Sequence, residues 1–138
     1  MLRGPISDIM SEHIVKVKES ASIRDAAHLL LRFQINGIFV MGETSDDLLG
    51  ILTTTDLLKI LDDALSMPIQ KMSSLQSVAS LRVSDVMSRD VVRVQKDTAI
   101  ARVITLMHKK QVHTVPIFDN DKLVGVVGRH DFINAAFE

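Results

Sequence analysis

The chain writes one pattern of residues twice. Ile6-Ser7-Asp8-Ile9-Met10-Ser11 returns as Val83-Ser84-Asp85-Val86-Met87-Ser88, and Val15/Val92, Val17/Val94, Ile23/Ile100, Leu29/Leu106 and Gln34/Gln111 keep the same offset of 77 residues. The offset falls to 75 at Gly50/Gly125 and Asp56/Asp131, because Met41 to Asp47 is two residues longer than Phe118 to Lys122. A length change confined to polar residues is what a hairpin turn absorbs. The period is too long for short units stacked in a solenoid. The duplication therefore predicts two copies of one α/β unit, with function where the copies meet.

In the first copy, Ile14-Val15-Lys16-Val17 is a short β-branched run and Ser20 offers a helix N-cap. Ile23, Ala26, Ala27, Leu30 and Leu31 then follow the spacing of an amphipathic helix. Ile38 to Met41 and Leu48 to Leu52 read as strands joined by a polar turn, and a second helix runs from Thr54 through Leu57, Leu58, Ile60 and Leu61. The second copy repeats the order: Val91 to Val94, an Asp97 cap, a helix with Ile100, Val103, Ile104 and Met107, strands at Val115 to Phe118 and Leu123 to Val127, and a helix from Arg129. Each copy is β-α-β-β-α, an α/β (α+β) arrangement of two pseudo-symmetric units. Residues 1–62 form the first expected unit, 63–82 a linker packed on the module, and 83–138 the second. Pro68 and the Ser/Gln content of the linker suit a short helical turn, and Ile69, Met72, Leu75 and Val78 are apolar enough to pack.

A length of 138 residues allows a real core shared by two half-domains. The net charge of -1 argues against bulk electrostatic binding to nucleic acid or an anionic membrane, so any anion must be held locally. No apolar run is long enough to span a bilayer and the first residues lead into no signal-peptide core, which makes the cytoplasm the expected location. The absence of cysteine removes disulfides, thiolate catalysis and cysteine-based zinc sites. The histidines show neither an i, i+4 pair nor an HExxH spacing, so no metal site is expected. An apolar fraction of 46% exceeds what one small module buries alone, and self-association into a homodimer is the expected outlet.

The sharpest local motif is Gly50-Ile51-Leu52-Thr53-Thr54-Thr55-Asp56. Thr and Asp three residues apart at a helix start form a capping box, in which Thr53 accepts from a first-turn amide and Asp56 reaches back to the Thr53 N–H. The same geometry suits an anion: free N–H groups and the positive helix end favour a phosphate, a hydroxyl adds a donor, and a carboxylate accepts from a ribose diol. The two roles are compatible.

The duplicated β-α-β-β-α unit, the Met10-Ser11 and Met87-Ser88 openings, the Val115-Pro116-Ile117 strand and the Gly50, Thr53, Asp56 motif together resemble a tandem pair of CBS domains, named for cystathionine β-synthase. The resemblance implies two units packed through their sheets, two clefts for adenosyl ligands such as AMP, ADP, ATP or S-adenosylmethionine, a dimer of modules, and regulation of a separate partner protein. It carries Thr53 to the phosphate and Asp56 to the ribose of one cleft, with His13, Ile14, Gly37 and Ile38 around the base. In the other cleft Asp131 holds the ribose, and Asp90, Val91, His113, Thr114, Val115 and Pro116 surround the base. Gly128 stands where the family usually has Thr or Ser, so Arg129 or His130 is expected to supply charge to the phosphate there. Phe39 stands where Pro is typical.

The implied function is a non-catalytic sensor with no required cofactor. The alternative is a ligand-independent dimerisation module with vestigial clefts, favoured by the missing hydroxyl at Gly128. An enzyme comes third, because the two acids belong to equivalent sites and no serine sits in a nucleophile elbow.

Overall fold

The computed structural model describes residues 2–66 and 78–137, and the linker positions Pro68, Ile69, Met72 and Leu75 lie outside them. The chain divides into two compact units, one of Val15–Asp90 and one of Met1–Ile14 with Val91–Glu138.

The Val15–Asp90 unit contains β1 (Lys16–Lys18), α1 (Ile23–Phe33), β2 (Gly37–Met41), β3 (Leu48–Thr53) and α2 (Thr54–Leu65). Its sheet has the order β1-β2-β3, with β1 parallel and β3 antiparallel to β2. A parallel pair needs a crossover, which α1 supplies, while the polar turn closes the antiparallel pair as a hairpin. All five residues of β2 are buried, as the unbroken apolar run Ile38-Phe39-Val40-Met41 requires.

Ser22, not Ser20, caps α1, its hydroxyl accepting from the Asp25 N–H at 3.1 Å. Ser20 instead donates to the Glu43 carboxylate across the turn. Ile23, Ala26 and Leu30 are buried, but Leu31 is 76% exposed, because one residue further along a helix turns the side chain about 100° off the core stripe. The helix stops at Gln34, left-handed at φ 53°, and its counterpart Gln111 stops the equivalent helix at φ 55°.

The other unit repeats this plan with β4 (Val94–Gln95), α3 (Ile100–Lys110), β5 (Thr114–Asp119), β6 (Lys122–Gly128) and α4 (Arg129–Phe137), in the sheet order β4-β5-β6. Asp97 does not cap α3. The N-cap is Ala99, which has no capping side chain, and the Ile100 N–H is satisfied by the Gly4 carbonyl at 3.0 Å.

Repeat in sequence and unit in space are offset. The opening turn Ile6–Asp8 packs with residues 91–138, where Ile6 donates to the Thr98 carbonyl at 2.7 Å and is fully buried beside Ile100, Val103 and Val115. The opening turn of the second copy, Val83–Asp85, packs instead in the Val15–Asp90 unit, with Val83 fully buried beside Ile23, Ala26 and Leu52. Burial of a branched aliphatic side chain contributes about 1.5–3 kcal/mol, enough to fix each opening segment on the sheet it reaches.

Candidate functional site at two helix starts

Strand β3 delivers Thr53 to the first turn of α2. Gly37 pairs with Thr53 in the β2-β3 hairpin, and the Thr54 N–H donates to the Asn36 carbonyl at 2.9 Å. The capping box forms in full: the Asp56 N–H donates to Thr53 Oγ1 at 3.1 Å, and the Thr53 N–H donates to Asp56 Oδ2 at 2.9 Å. Thr53 and Asp56 are half-buried, and Gly37 and Ile38 are buried next to them in the hairpin.

A residue that the motif did not suggest completes this corner. The Ser88 hydroxyl donates to Asp56 Oδ1 at 3.2 Å. Its backbone forms a two-bond bridge with Ile51, N to O at 2.9 Å in both directions. The segment can come so close only because residue 50 is glycine: a Cβ there would lie 2.6 Å from the Ser88 carbonyl oxygen and 2.8 Å from the Met87 sulfur. The Met-Ser dipeptide shared by both copies was the available signal.

An ionised carboxylate offers roughly four acceptor positions. At Asp56 the Thr53 amide and the Ser88 hydroxyl use one on each oxygen, which leaves capacity for the two hydroxyls of a diol. The corner also presents a hydroxyl and the positive end of α2, a helix of 12 residues.

The equivalent corner in the other unit is simpler. Gly128 pairs with Thr114 on β5, its N–H donates to Asp131 Oδ2 at 2.7 Å, and the Arg129 N–H donates to the His113 carbonyl at 3.3 Å. Ser11 bridges to Val126 as Ser88 does to Ile51, but its hydroxyl accepts from the His13 N–H at 3.2 Å rather than reaching the aspartate. Asp131 is half-buried, Arg129 and His130 are exposed, and Val115 and Pro116 are buried in β5. His113 and Arg129 also line a cavity of about 240 Å³ between α3 and α4 with Met107, Phe132 and Ile133.

Gly37, Ile38, Thr53, Asp56 and Asp90 thus belong to the Val15–Asp90 unit, whereas His13, Ile14, Val91, His113, Thr114, Val115, Pro116, Arg129, His130 and Asp131 belong to the other. Among the described residues no group of three His, Asp or Glu is placed to hold a metal ion, and no helix is long and apolar enough to cross a membrane.

The family model described as CBS domain matches residues 6–63 and again residues 83–138. The chain belongs to the CBS-domain family. The arabinose 5-phosphate isomerase KdsD of Yersinia pestis is 30% identical to it over 132 residues, which are 94% of this chain and 37% of the enzyme. The chain thus spans little more than a third of that relative's length. Among solved structures, the CBS-domain-containing protein ATU1752 of Agrobacterium tumefaciens superposes with a TM-score of 0.83 at 24% identity, over 99% of this chain and 96% of that one. The CBS domain pair of protein MJ0100, in complex with 5′-methylthioadenosine and S-adenosyl-L-methionine, superposes with a TM-score of 0.76 at 24% identity, over 97% and 96% of the two chains. The two three-stranded sheets with their helices are the mixed α/β architecture of this CBS pair.

Proposed function

We propose that this CBS pair is a regulatory, non-catalytic module that binds an adenosyl ligand, one of AMP, ADP, ATP or S-adenosylmethionine, and signals its occupancy to a partner protein. The observation that carries the reading is the α2 corner, where a hydroxyl, a helix N-terminus and a carboxylate with spare acceptor capacity converge. Thr53 and the first amides of α2 suit a phosphate or another polar tail, and Asp56 suits the ribose diol. The complex of the MJ0100 domain pair with two adenosyl compounds supports the ligand class. At the α4 corner Asp131 takes the ribose role and Arg129 or His130 replaces the missing hydroxyl with charge.

The module acts as a homodimer in this reading. Its helices expose Leu58, Leu61, Leu65, Ile133 and Phe137, a larger apolar display than isolated surface residues provide. Leu57 and Phe132, on the same two helices, pack against the cores of their own units.

A second reading, an interaction module whose ligand corners are vestigial, is favoured by Gly128. Calorimetric titration of the folded chain with the four ligands decides between them. Saturable heat at micromolar to millimolar ligand is expected, and a flat response to all four overturns the sensor while leaving the interaction module standing.

A further inference from the structure

The α2 and α4 corners share a backbone frame and differ in the use of one hydroxyl. Ser88 is pinned by paired backbone bonds to Ile51 at 2.9 Å each, and Ser11 by paired bonds to Val126 at 2.8 and 2.9 Å. Both serines therefore present their side chains from an equivalent strand-like segment. From there the Ser88 hydroxyl donates to Asp56 Oδ1 at 3.2 Å, whereas the Ser11 hydroxyl accepts from the His13 N–H at 3.2 Å.

The difference falls on the carboxylates. Asp56 is held through both oxygens, Oδ2 by the Thr53 N–H at 2.9 Å and Oδ1 by Ser88. Rotation about the Cβ–Cγ bond is soft, but with a donor on each oxygen it would break at least one bond, so the carboxylate plane is fixed. Asp131 keeps the first kind of bond, from the Gly128 N–H at 2.7 Å, but not the second, because the corresponding serine is turned to the His13 backbone. A vicinal diol needs both carboxylate oxygens at once, whereas a single hydroxyl needs one. A carboxylate already fixed in plane meets the diol without the entropic cost of being ordered first.

We infer that Ser88 is a positioning residue that makes the α2 corner selective for an intact vicinal diol, and that the α4 corner discriminates less. This rests on the adenosyl reading and adds which part of the sugar is read and at which corner. Ser88 acts through Asp56, so its removal should weaken a ligand with both hydroxyls far more than one that has lost a hydroxyl.

The test titrates AMP and 2′-deoxy-AMP, which differ by one hydroxyl of the diol, in a calorimeter. An Asp131→Asn chain weakens the α4 corner so that the α2 corner is read, and an Asp56→Asn chain does the converse. In the Asp131→Asn chain AMP should bind about tenfold or more tighter than 2′-deoxy-AMP. Adding Ser88→Ala should cut that ratio to about threefold or less by weakening AMP alone. The melting temperature should hardly move, since Ser88 is exposed, and Ser88→Thr, which keeps the hydroxyl, should restore the ratio. In the Asp56→Asn chain Ser11→Ala should leave the ratio unchanged. A ratio that Ser88→Ala does not move, or an equal weakening of both nucleotides, overturns the positioning role and leaves adenosyl binding intact. A fall on Ser11→Ala as large as that on Ser88→Ala overturns the difference between the corners. Absence of AMP binding to the wild-type chain overturns the adenosyl reading itself.

Discussion

Ser88 and Asp56 are 32 positions apart in the chain, and the serine hydroxyl donates to the aspartate carboxylate at 3.2 Å. The bond joins the opening motif of the second copy to the helix start of the first. Asp56 is therefore held from both sides, by its own helix cap and by a strand-like segment from the other copy.

Asp56→Asn separates capping from ligand contact. Asn still accepts from the Thr53 amide, so the fold should survive with a melting temperature lowered by a few degrees at most, a cap being worth about 1 kcal/mol. Loss of a charged acceptor to a ribose in this half-buried corner should weaken adenosine nucleotide binding by roughly 1–3 kcal/mol, measured by calorimetry. Unchanged affinity with a lowered melting temperature would reduce Asp56 to a capping residue.

Gly50→Ala should cost more stability than Gly125→Ala. At residue 50 the new methyl meets the Ser88 carbonyl oxygen at 2.6 Å, a backbone atom that accepts from the Ile51 N–H and so cannot give way freely. At residue 125 the nearest atom belongs to the flexible Met10 thioether, and the Ser11 carbonyl oxygen stands off at 3.0 Å. A loss of about 1–3 kcal/mol at residue 50 is expected from overpacking, read as a lower denaturant midpoint, with a smaller loss at residue 125. The reverse order would contradict the account of how the opening segments are seated.

Gly128→Thr should stabilise the chain. A Cβ there comes no nearer than 3.4 Å to the His113 carbonyl oxygen, which leaves room for a side chain. The hydroxyl would complete the capping box that Asp131 already half forms. The gain expected from a cap and a less flexible unfolded chain is about 0.5–1 kcal/mol. Nucleotide affinity at this corner should rise with it, and a fall in both would count against the comparison with Thr53.

Arg129→Ala should reduce binding of ATP more than binding of adenosine, because the exposed guanidinium at the start of α4 has phosphate rather than base or ribose to attract. Equal losses in parallel titrations would show that it contacts no phosphate.

Much of this architecture was legible in the order of the residues. The duplication, the order of elements, the two hairpins and the full Thr53-Asp56 capping box follow from local periodicity and from residue types whose preferences act within one or two turns of chain, whereas the first strand of each copy, expected at Ile14 to Val17 and Val91 to Val94, pairs only at Lys16–Lys18 and Val94–Gln95. The resemblance to CBS domains was legible for the same reason, since its motifs are short and lie in fixed order. Local signals also misplaced details. Ser20 and Asp97 are plausible caps taken alone, but Ser22 lies at the true start of α1, and at α3 the Gly4 carbonyl does the work of a cap. Leu31 extends the apolar stripe by spacing and still points outward.

Sequence alone determined what each copy folds into, because hydrogen bonding within a helix or hairpin and the alternation of apolar residues are properties of neighbouring positions. Only the tertiary structure decided which copy each opening segment completes. Ile6 seats itself beside Ile100 and Val103, and Val83 beside Ile23 and Ala26. The two openings are nearly identical in sequence, so no local preference distinguishes the sheets they could cover. The choice falls to chain connectivity and to where a buried aliphatic side chain and a glycine-bared strand meet, and that same choice brings Ser88 to Asp56.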